Sequence, residues 1–231
     1  MKKMILACLL TMLMLFACAA AEEGTVVQSS CNIVQDGEYY LVYCFAQVHN
    51  NSDRIIFLDE GTLQLSGGEE PLATEKVSRL WPYFLAPGED GYLFDIIPFG
   101  PGQSGAAVPQ VTGLSYQLSY MTIDPDYAGV QLGADAQLVF DELSGGLSVV
   151  CEVSNPTAMA VYNATVAFGL YTDGGQMVYA DGMSLKSVGI PAGGSILVRF
   201  EVEDVLVEQW RSYNAMPTQV RLNAMFRDND D

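Results

Sequence analysis

Histidine is almost missing from this chain: of 231 residues, His49 alone can supply an imidazole. Any Ser-His-Asp or Cys-His centre would have to use it, yet it stands beside Asn50, Asn51 and Ser52 at an expected strand end, where it reads as a solvated loop-edge residue. Cysteine is sparse, and Cys8, Cys18, Cys31, Cys44 and Cys151 lack the close paired spacing of a zinc site. Lysine and arginine together number 10 against 28 acids, for a net charge of −18. That balance argues against nucleic acid and against an anionic membrane surface as partners. No apolar run approaches the roughly 20 residues that a membrane-spanning helix needs. No glycine-rich stretch joins a strand to a helix in the phosphate-binding manner.

The chain does have a leader. Lys2 and Lys3 precede an apolar run from Met4 to Phe16 and then small residues, with no acid before Glu22, the pattern of a secretory signal peptide over residues 1–21. Two processing readings compete. Ala19, Ala20 and Ala21 fit simple cleavage before Glu22, whereas Leu15-Phe16-Ala17-Cys18 has the outline of a lipobox that would lipidate Cys18. Simple cleavage is favoured, because Phe16 suits a lipobox poorly and no Gly/Ser tether follows Cys18. Only lipidation would place this protein on a membrane, and a single acyl chain binds one weakly. Since residues 1–21 hold two lysines and no acid, cleavage takes the charge from −18 to −20.

In an exported protein Cys31, Cys44 and Cys151 can be oxidised. If the hairpin between Cys31 and Cys44 turns on Gly37-Glu38, a type II′ choice, then 36 pairs with 39 and counting outward sets 31 opposite 44. That is a non-hydrogen-bonded pair, with α-carbons about 4.5 Å apart, within disulfide reach. If Asp36-Gly37 forms a type I′ turn instead, Cys44 is only a diagonal neighbour. Cys151 reads as a small buried hydrophobe.

The two halves repeat with an offset near 105 residues. Val48-His49-Asn50-Asn51-Ser52 matches Val153-Ser154-Asn155-Pro156-Thr157, Leu85-Ala86-Pro87-Gly88 matches Ile190-Pro191-Ala192-Gly193, and the stretch from Tyr116 to Met121 matches Val220 to Met225. A repeat of this size is a domain, since solenoid periods run about 20 to 50 residues. We therefore expect an all-β chain of two tandem immunoglobulin-like sandwiches, residues 22–124 and 125–231, dividing near Asp124-Pro125-Asp126. In the second unit, strands are expected near 136–142, 147–154, 161–171, 177–184, 195–202 and 218–226. A turn or two of helix packing Trp210 is expected over 204–213.

Leu147, Val149, Cys151 and Val153 alternate with polar residues, so they face a core. The offset carries that face to Val42, Cys44, Ala46 and Val48, and leaves Tyr39, Leu41, Tyr43 and Phe45 pointing the other way. Either this aromatic row is itself the core of the first unit, the reading we favour, or the first unit shows an apolar face to its neighbour or a partner.

The second unit resembles the FxLYD-type domain, an immunoglobulin-like sandwich of exported bacterial and archaeal proteins. The matching residues are Cys151-Glu152-Val153-Ser154-Asn155-Pro156, Phe168-Gly169-Leu170-Tyr171-Thr172-Asp173-Gly174-Gly175, and Pro191-Ala192-Gly193-Gly194 with Phe200. Thr172 delays the expected Asp by one residue, so a longer or bulged turn should follow. The first unit has Leu63-Gln64-Leu65-Ser66-Gly67-Gly68 at that place and joins the resemblance through the repeat. The resemblance implies an interaction or structural module and supplies no catalytic residues.

Two features read as a binding surface. Arg79, Trp81, Tyr83 and Phe84 gather aromatics beside Lys76 and Arg79, a composition suited to sugars or peptides; the plain alternative is that Trp81 and Phe84 plug the end of the first sandwich. The stretch from Pro98 to Pro109 is a recognition loop or a slack crossover. Calcium is the one metal worth naming, with Asp59, Glu60, the tail acids Asp228, Asp230 and Asp231, and above all Asp124 and Asp126 at the domain boundary as oxygen donors. No EF-hand pattern accompanies them, and no cofactor is expected. Asp141 and Glu142 are expected adjacent in a strand, pointing to opposite faces, which does not suit a glycosidase pair.

The chain is therefore expected to be a noncatalytic exported module that holds an unidentified protein or glycan. The alternatives are a secreted glycan-active enzyme with unrecognised carboxylates, and a spacer anchored through Cys18.

Overall fold

The structure is a computed structural model, and it describes residues 23–68, 70–100, 110–123 and 130–226. The leader with Cys18, the boundary acids Asp124 and Asp126, the tail acids and most of the 98–109 segment lie outside the described residues.

The first half holds β1 (Gly24–Asp36), β2 (Tyr39–Asn50), β3 (Ile55–Gly67), β4 (Glu70–Lys76), β5 (Leu80–Trp81), β6 (Phe84–Leu85), β7 (Asp90–Phe99) and β8 (Gly113–Ile123). β1-β2-β7-β5 form one antiparallel sheet, and β3 carries β4 and β6 on one edge and β8 on the other. The second half holds β9 (Val130–Gln131), β10 (Gly133–Phe140), β11 (Leu147–Ser154), β12 (Val161–Tyr162), β13 (Thr165–Tyr171), β14 (Met177–Ser184), β15 (Gly189–Ile190), β16 (Ser195–Val202), α1 (Asp204–Ser212) and β17 (Gln219–Phe226). β10-β11-β16 face β14-β13-β17-β9. In each half the first two long strands and the fifth make one sheet and the others make the second, the partition of an immunoglobulin-like sandwich.

Local chemistry accounts for these elements. Gly37 takes φ +60, and Asp36 pairs with Tyr39, so the first hairpin turns on Gly37-Glu38 and sets Cys31 opposite Cys44. A glycine supplies that positive φ without a Cβ clash. Between β13 and β14 the ladder slips after Leu170, and the turn runs from Thr172 to Gln176 with Gly175 at φ +76, the bulged connection that Thr172 suggests. Leu206, Val207 and Trp210 share one face of α1 and are buried, and Trp210 meets Tyr179 edge to face at 6.0 Å. One expectation fails here: β10 ends at Phe140. Asp141 and Glu142 lie in the following turn, where Asp141 accepts from the Ser144 hydroxyl and the Leu143 N–H. Those bonds hold the Asp141 carboxyl below the usual range.

The 105-residue offset holds at the level of individual hydrogen bonds. The Asn50 amide donates to the carbonyls of Arg54 (2.7 Å) and Leu85 (2.8 Å), and that of Asn155 to those of Met159 (2.7 Å) and Ile190 (3.0 Å). Asn50 Oδ1 accepts from Ser52 N–H and Oγ; Asn155 Oδ1 accepts from Thr157 N–H and Oγ1. Gly88 and Gly193, both at positive φ, donate to the carbonyls of Asn50 and Asn155. Strand registers agree too: Val48 opposes Gly91 as Val153 opposes Ile196, and Ile56 opposes Leu85 as Val161 opposes Ile190.

The aromatic row corrects the favoured reading. Val42, Cys44, Ala46 and Val48 belong to the core of the first sandwich with Ile33, Leu63 and Leu93, so the frame carried over by the offset is right. Tyr43 and Phe45 are just as buried, but in the core of the second unit, together with Val34, Tyr92 and the side chains of β13 and β14. The β1-β2-β7 sheet is therefore covered on both faces, and so is β13, whose seven residues are all buried. Four sheets stack in the order β4-β3-β8, β1-β2-β7, β14-β13-β17, β10-β11-β16. Gly169 and Gly182 make room at the seam: a Cβ on Gly169 would lie 2.6 Å from the Tyr92 ring, and one on Gly182 would lie 2.6 Å from Trp81 Cβ. Polar groups fix the register of the docked sheets. Asn32 donates to the Val178 carbonyl (3.0 Å), Tyr171 to Gln47 Oε1 (2.8 Å), and Asn223 to the Asp90 carbonyl (2.8 Å).

Candidate binding groove

A groove of about 780 Å³ opens on the outer side of the first unit, where β3 changes its edge partner. Ile56 and Phe57 pair with β6, and Thr62 onward pairs with β4, so that edge of β3 lacks a ladder strand between Phe57 and Thr62. Within this gap Gly61 still accepts from Val77 N–H at 3.0 Å. On the opposite edge, the β3–β8 register slips between Leu58 and Glu60, a bulge at Asp59 that bends the strand. Beyond Lys76 the chain leaves β3, crosses to pair Leu80 with Leu93 and Trp81 with Tyr92, and returns to β3 at Phe84. That excursion is the outer wall of the groove.

The second unit lacks this excursion. There the chain from Ser184, paired with Thr165, reaches Gly189, paired with Tyr162, by a shorter path on both sides. Leu185 N–H meets the Ala164 carbonyl at 2.7 Å, as Val77 meets Gly61 in the first unit, so the two units differ in the length of the path and in its detour to β7.

The excursion brings together the aromatic and basic residues singled out from the sequence. The Arg79 guanidinium lies 5.2 Å from the Trp81 ring centroid and donates to the Tyr83 hydroxyl at 3.1 Å, while Trp81 and Tyr83 stack at 4.9 Å. Phe84 meets Phe57 edge to face at 5.8 Å. Lys76, Arg79, Tyr83 and Phe84 line the groove with Asp59 and Glu60. Trp81 does not line it. Its side chain turns the other way, onto Gly182 of the second unit, and so anchors the wall instead of contacting an occupant. A cation stacked on an aromatic platform, beside exposed carboxylates and the polar Thr62, Gln117 and Ser119, can offer ring faces and hydrogen bonds at once.

Asp95 ties the wall down. It accepts from Ser78 N–H at 3.1 Å, and the Ser78 hydroxyl donates to the Phe94 carbonyl at 3.3 Å. The other Asp95 oxygen is buried with no hydrogen-bond partner, and desolvation raises the carboxyl above its ordinary range. An acid whose folded pKa is raised binds its proton more tightly folded than unfolded. Its penalty is therefore fully present above the folded pKa and fades as pH falls toward the ordinary aspartate value of 3.8. Asp95→Asn is expected to raise the urea midpoint at pH 7, with a gain over wild type that shrinks as both are measured down to pH 4.

The other sequence candidates lie elsewhere. His49 opposes Asp90 across β2 and β7 and bonds it through Nδ1 at 2.8 Å, about a third exposed and outside the groove. Cys151 is buried, its thiol pushed up to about 12 by desolvation. Among the described residues no cluster of three or more His, Cys, Asp or Glu is arranged to hold a metal ion. The groove itself had one readable signal, the longer path between paired registers in the first unit, which shows only once strand pairing is known.

No protein-family model matches this chain, and no curated protein does. Among solved structures, the crystal structure of red sea bream transglutaminase aligns at 11% identity, over 88% of this chain and 30% of that one, with a TM-score of 0.24. That likeness is too low to establish a shared fold.

Proposed function

We propose that this protein is a noncatalytic exported binding module whose first unit holds a glycan in the groove beneath Arg79, Tyr83 and Phe84. The observation that carries the reading is the excursion between Lys76 and Phe84, which detours to pair with β7 in the first unit and is replaced by a shorter path in the second. A duplicated scaffold that opens one edge and lines it with Arg79 and Tyr83, both braced from behind by Trp81, has the makings of a recognition site on a rigid support. Tyr83, Phe84 and Phe57 supply ring faces, and Lys76, Arg79, Asp59, Glu60 and Gln117 supply hydrogen bonds to hydroxyls or a uronate. The volume lies within the range of small-ligand clefts, about 300 to 1,000 Å³.

Export is supported by the leader pattern of residues 1–21. The noncatalytic reading draws support from the position of His49, paired with Asp90 away from the groove. Kinship with FxLYD-type domains draws support from the strand and turn positions occupied by the residues between Phe168 and Gly175.

A glycan array followed by calorimetry on the best hit tests the assignment. Arg79→Ala with Tyr83→Ala is expected to weaken binding at least tenfold, about 1.4 kcal/mol or more, with little change in melting temperature because neither side chain is buried. Binding that is indifferent to both substitutions would place the ligand elsewhere, and no hit on the array would end the glycan reading.

A further inference from the structure

Cys31 and Cys44 occupy directly opposed positions on β1 and β2. Counting from the Asp36–Tyr39 pair beside the turn, the alternation makes 31 and 44 a non-hydrogen-bonded pair, the cross-strand position where side chains approach most closely. Both thiols point into the core of the first sandwich with Ile33 and Val42, and both are buried. They are also near enough in space that a charge on Cys31 would be felt at Cys44. In the reduced protein neither is a useful nucleophile. Burial raises the Cys31 thiol to about 11, and burial, with Cys31 and Asp95 adding to it, raises Cys44 well above the ordinary thiol range.

We infer that Cys31 and Cys44 are the sulfurs of a structural disulfide formed during folding after export. The oxidant is a disulfide donor of the oxidising compartment, a protein or small-molecule disulfide. One thiolate attacks a donor sulfur and expels the donor's other sulfur as thiolate; the second cysteine thiolate then attacks the first cysteine's sulfur, breaking the mixed disulfide and expelling the donor's remaining sulfur as thiolate. The protein loses two electrons and two protons, and the donor disulfide becomes two thiols. Exchange precedes closure of the sandwich, because in the folded chain both sulfurs are shielded and held protonated. The bridge would pin the β1–β2 hairpin, whose opposite face carries Asn32, Val34, Tyr43 and Phe45 to the seam. Among the described residues Cys151 has no partner of this kind, and it stays reduced.

The test uses the full chain exported by its own leader into a bacterial periplasm, then alkylated in denaturant without reduction. Cleavage after glutamate cuts at Glu23, Glu38 and Glu60, which puts Cys31 and Cys44 on separate peptides, 24–38 and 39–60. The expected result is one linked species, two hydrogens lighter than the sum of the peptides, that separates on reduction. Two separate alkylated peptides would overturn the inference. As a second measurement, dithiothreitol added during urea unfolding is expected to lower the midpoint of the wild type and leave the Cys31→Ser, Cys44→Ser double variant unchanged. A wild-type midpoint indifferent to reductant would remove the structural role, and the peptide map decides the bond itself even if the double variant does not fold.

Discussion

Gly169→Val is expected to destabilise the protein by about 3 kcal/mol, the upper part of the range for overpacking a closed core. β13 lies between two sheets, with Phe168 edge to face on Phe200 at 4.8 Å on one side and Gly169 under Tyr92 on the other. A Cβ at 169 would sit 2.6 Å from Tyr92 Cε1 and 2.9 Å from the Tyr171 hydroxyl, so neither the strand nor the ring can yield without opening the seam. Tyr92→Ala alone should cost about 3 to 5 kcal/mol, as a buried aromatic does when it leaves a cavity. The double variant should cost clearly less than the sum, by about 2 kcal/mol, because the added branch enters the space that the ring vacates. Urea unfolding of the four proteins in a double-mutant cycle measures this coupling. Additive losses would mean that the units do not dock through this contact.

The seam joins unlike faces, the β1-β2-β7 sheet of one unit to the β14-β13-β17 sheet of the other, and such a contact can propagate as an open chain. The outer faces differ from it in composition. Where the first unit presents Tyr43, Phe45 and Phe94 to the seam, the second carries Ser148, Val150 and Arg199 at the same offset. Arg199 Nη2 bonds Ser148 Oγ at 2.7 Å, and Ser148 bonds Glu201 Oε2 at 2.8 Å, which makes a solvated cap. The far face of the first unit is likewise polar, with Thr62, Gln117 and Ser119 exposed.

Sequence patterning located nearly every strand of the second unit, the helix with Trp210 and the repeat, because each rests on local chemistry or a constant offset within one chain; it marked the β1–β2 turn but left Gly37-Glu38 and Asp36-Gly37 both open, and the pairing of Asp36 with Tyr39 decides for the first. The patterning misplaced the aromatic row for a physical reason. Alternation assigns residues to two faces but does not say what covers each, and a strand buried on both sides reads as one apolar run. Tyr40 to Phe45 is such a run, whereas the equivalent stretch around Cys151 alternates cleanly, and that contrast was the available sign of a docked face. For Trp81, read as either a binding-surface residue or a packing plug, alternation again does not say what covers the side chain. Its neighbours Arg79 and Tyr83 do face the groove, but Trp81 follows the other side of the short β5 pairing and lands on Gly182.

Asn155→Ala and Asn50→Ala are each expected to cost about 3 kcal/mol, more than a typical substitution, because each removes several bonds inside a buried clasp. The Asn155 side chain donates to Met159, Ile190 and Pro191 carbonyls and accepts twice from Thr157; alanine would leave the Thr157 N–H without its acceptor and take a donor from each carbonyl, of which Met159 keeps the Thr157 hydroxyl and Pro191 keeps the Gly194 N–H. Each buried group left unsatisfied carries its own desolvation penalty of about 1 to 3 kcal/mol, which relaxation and water reduce but do not cancel. Asn155→Asp should cost more than alanine, since it keeps the acceptor for Thr157, loses every donor, and buries a charge against three carbonyl oxygens. Thr157→Val, which removes only a hydroxyl that accepts and donates at the rim, should cost about 1 kcal/mol. The informative comparison is between the units. Asn50 makes the same bonds to Arg54, Leu85 and Ser52, so its alanine variant should lose nearly what Asn155→Ala loses. Because the clasps share no partner, the double variant should lose the sum within about 0.5 kcal/mol. Unequal single losses, read from urea midpoints at a common slope, would mean that the two copies of the clasp have diverged in what they hold together, even though their geometry has not.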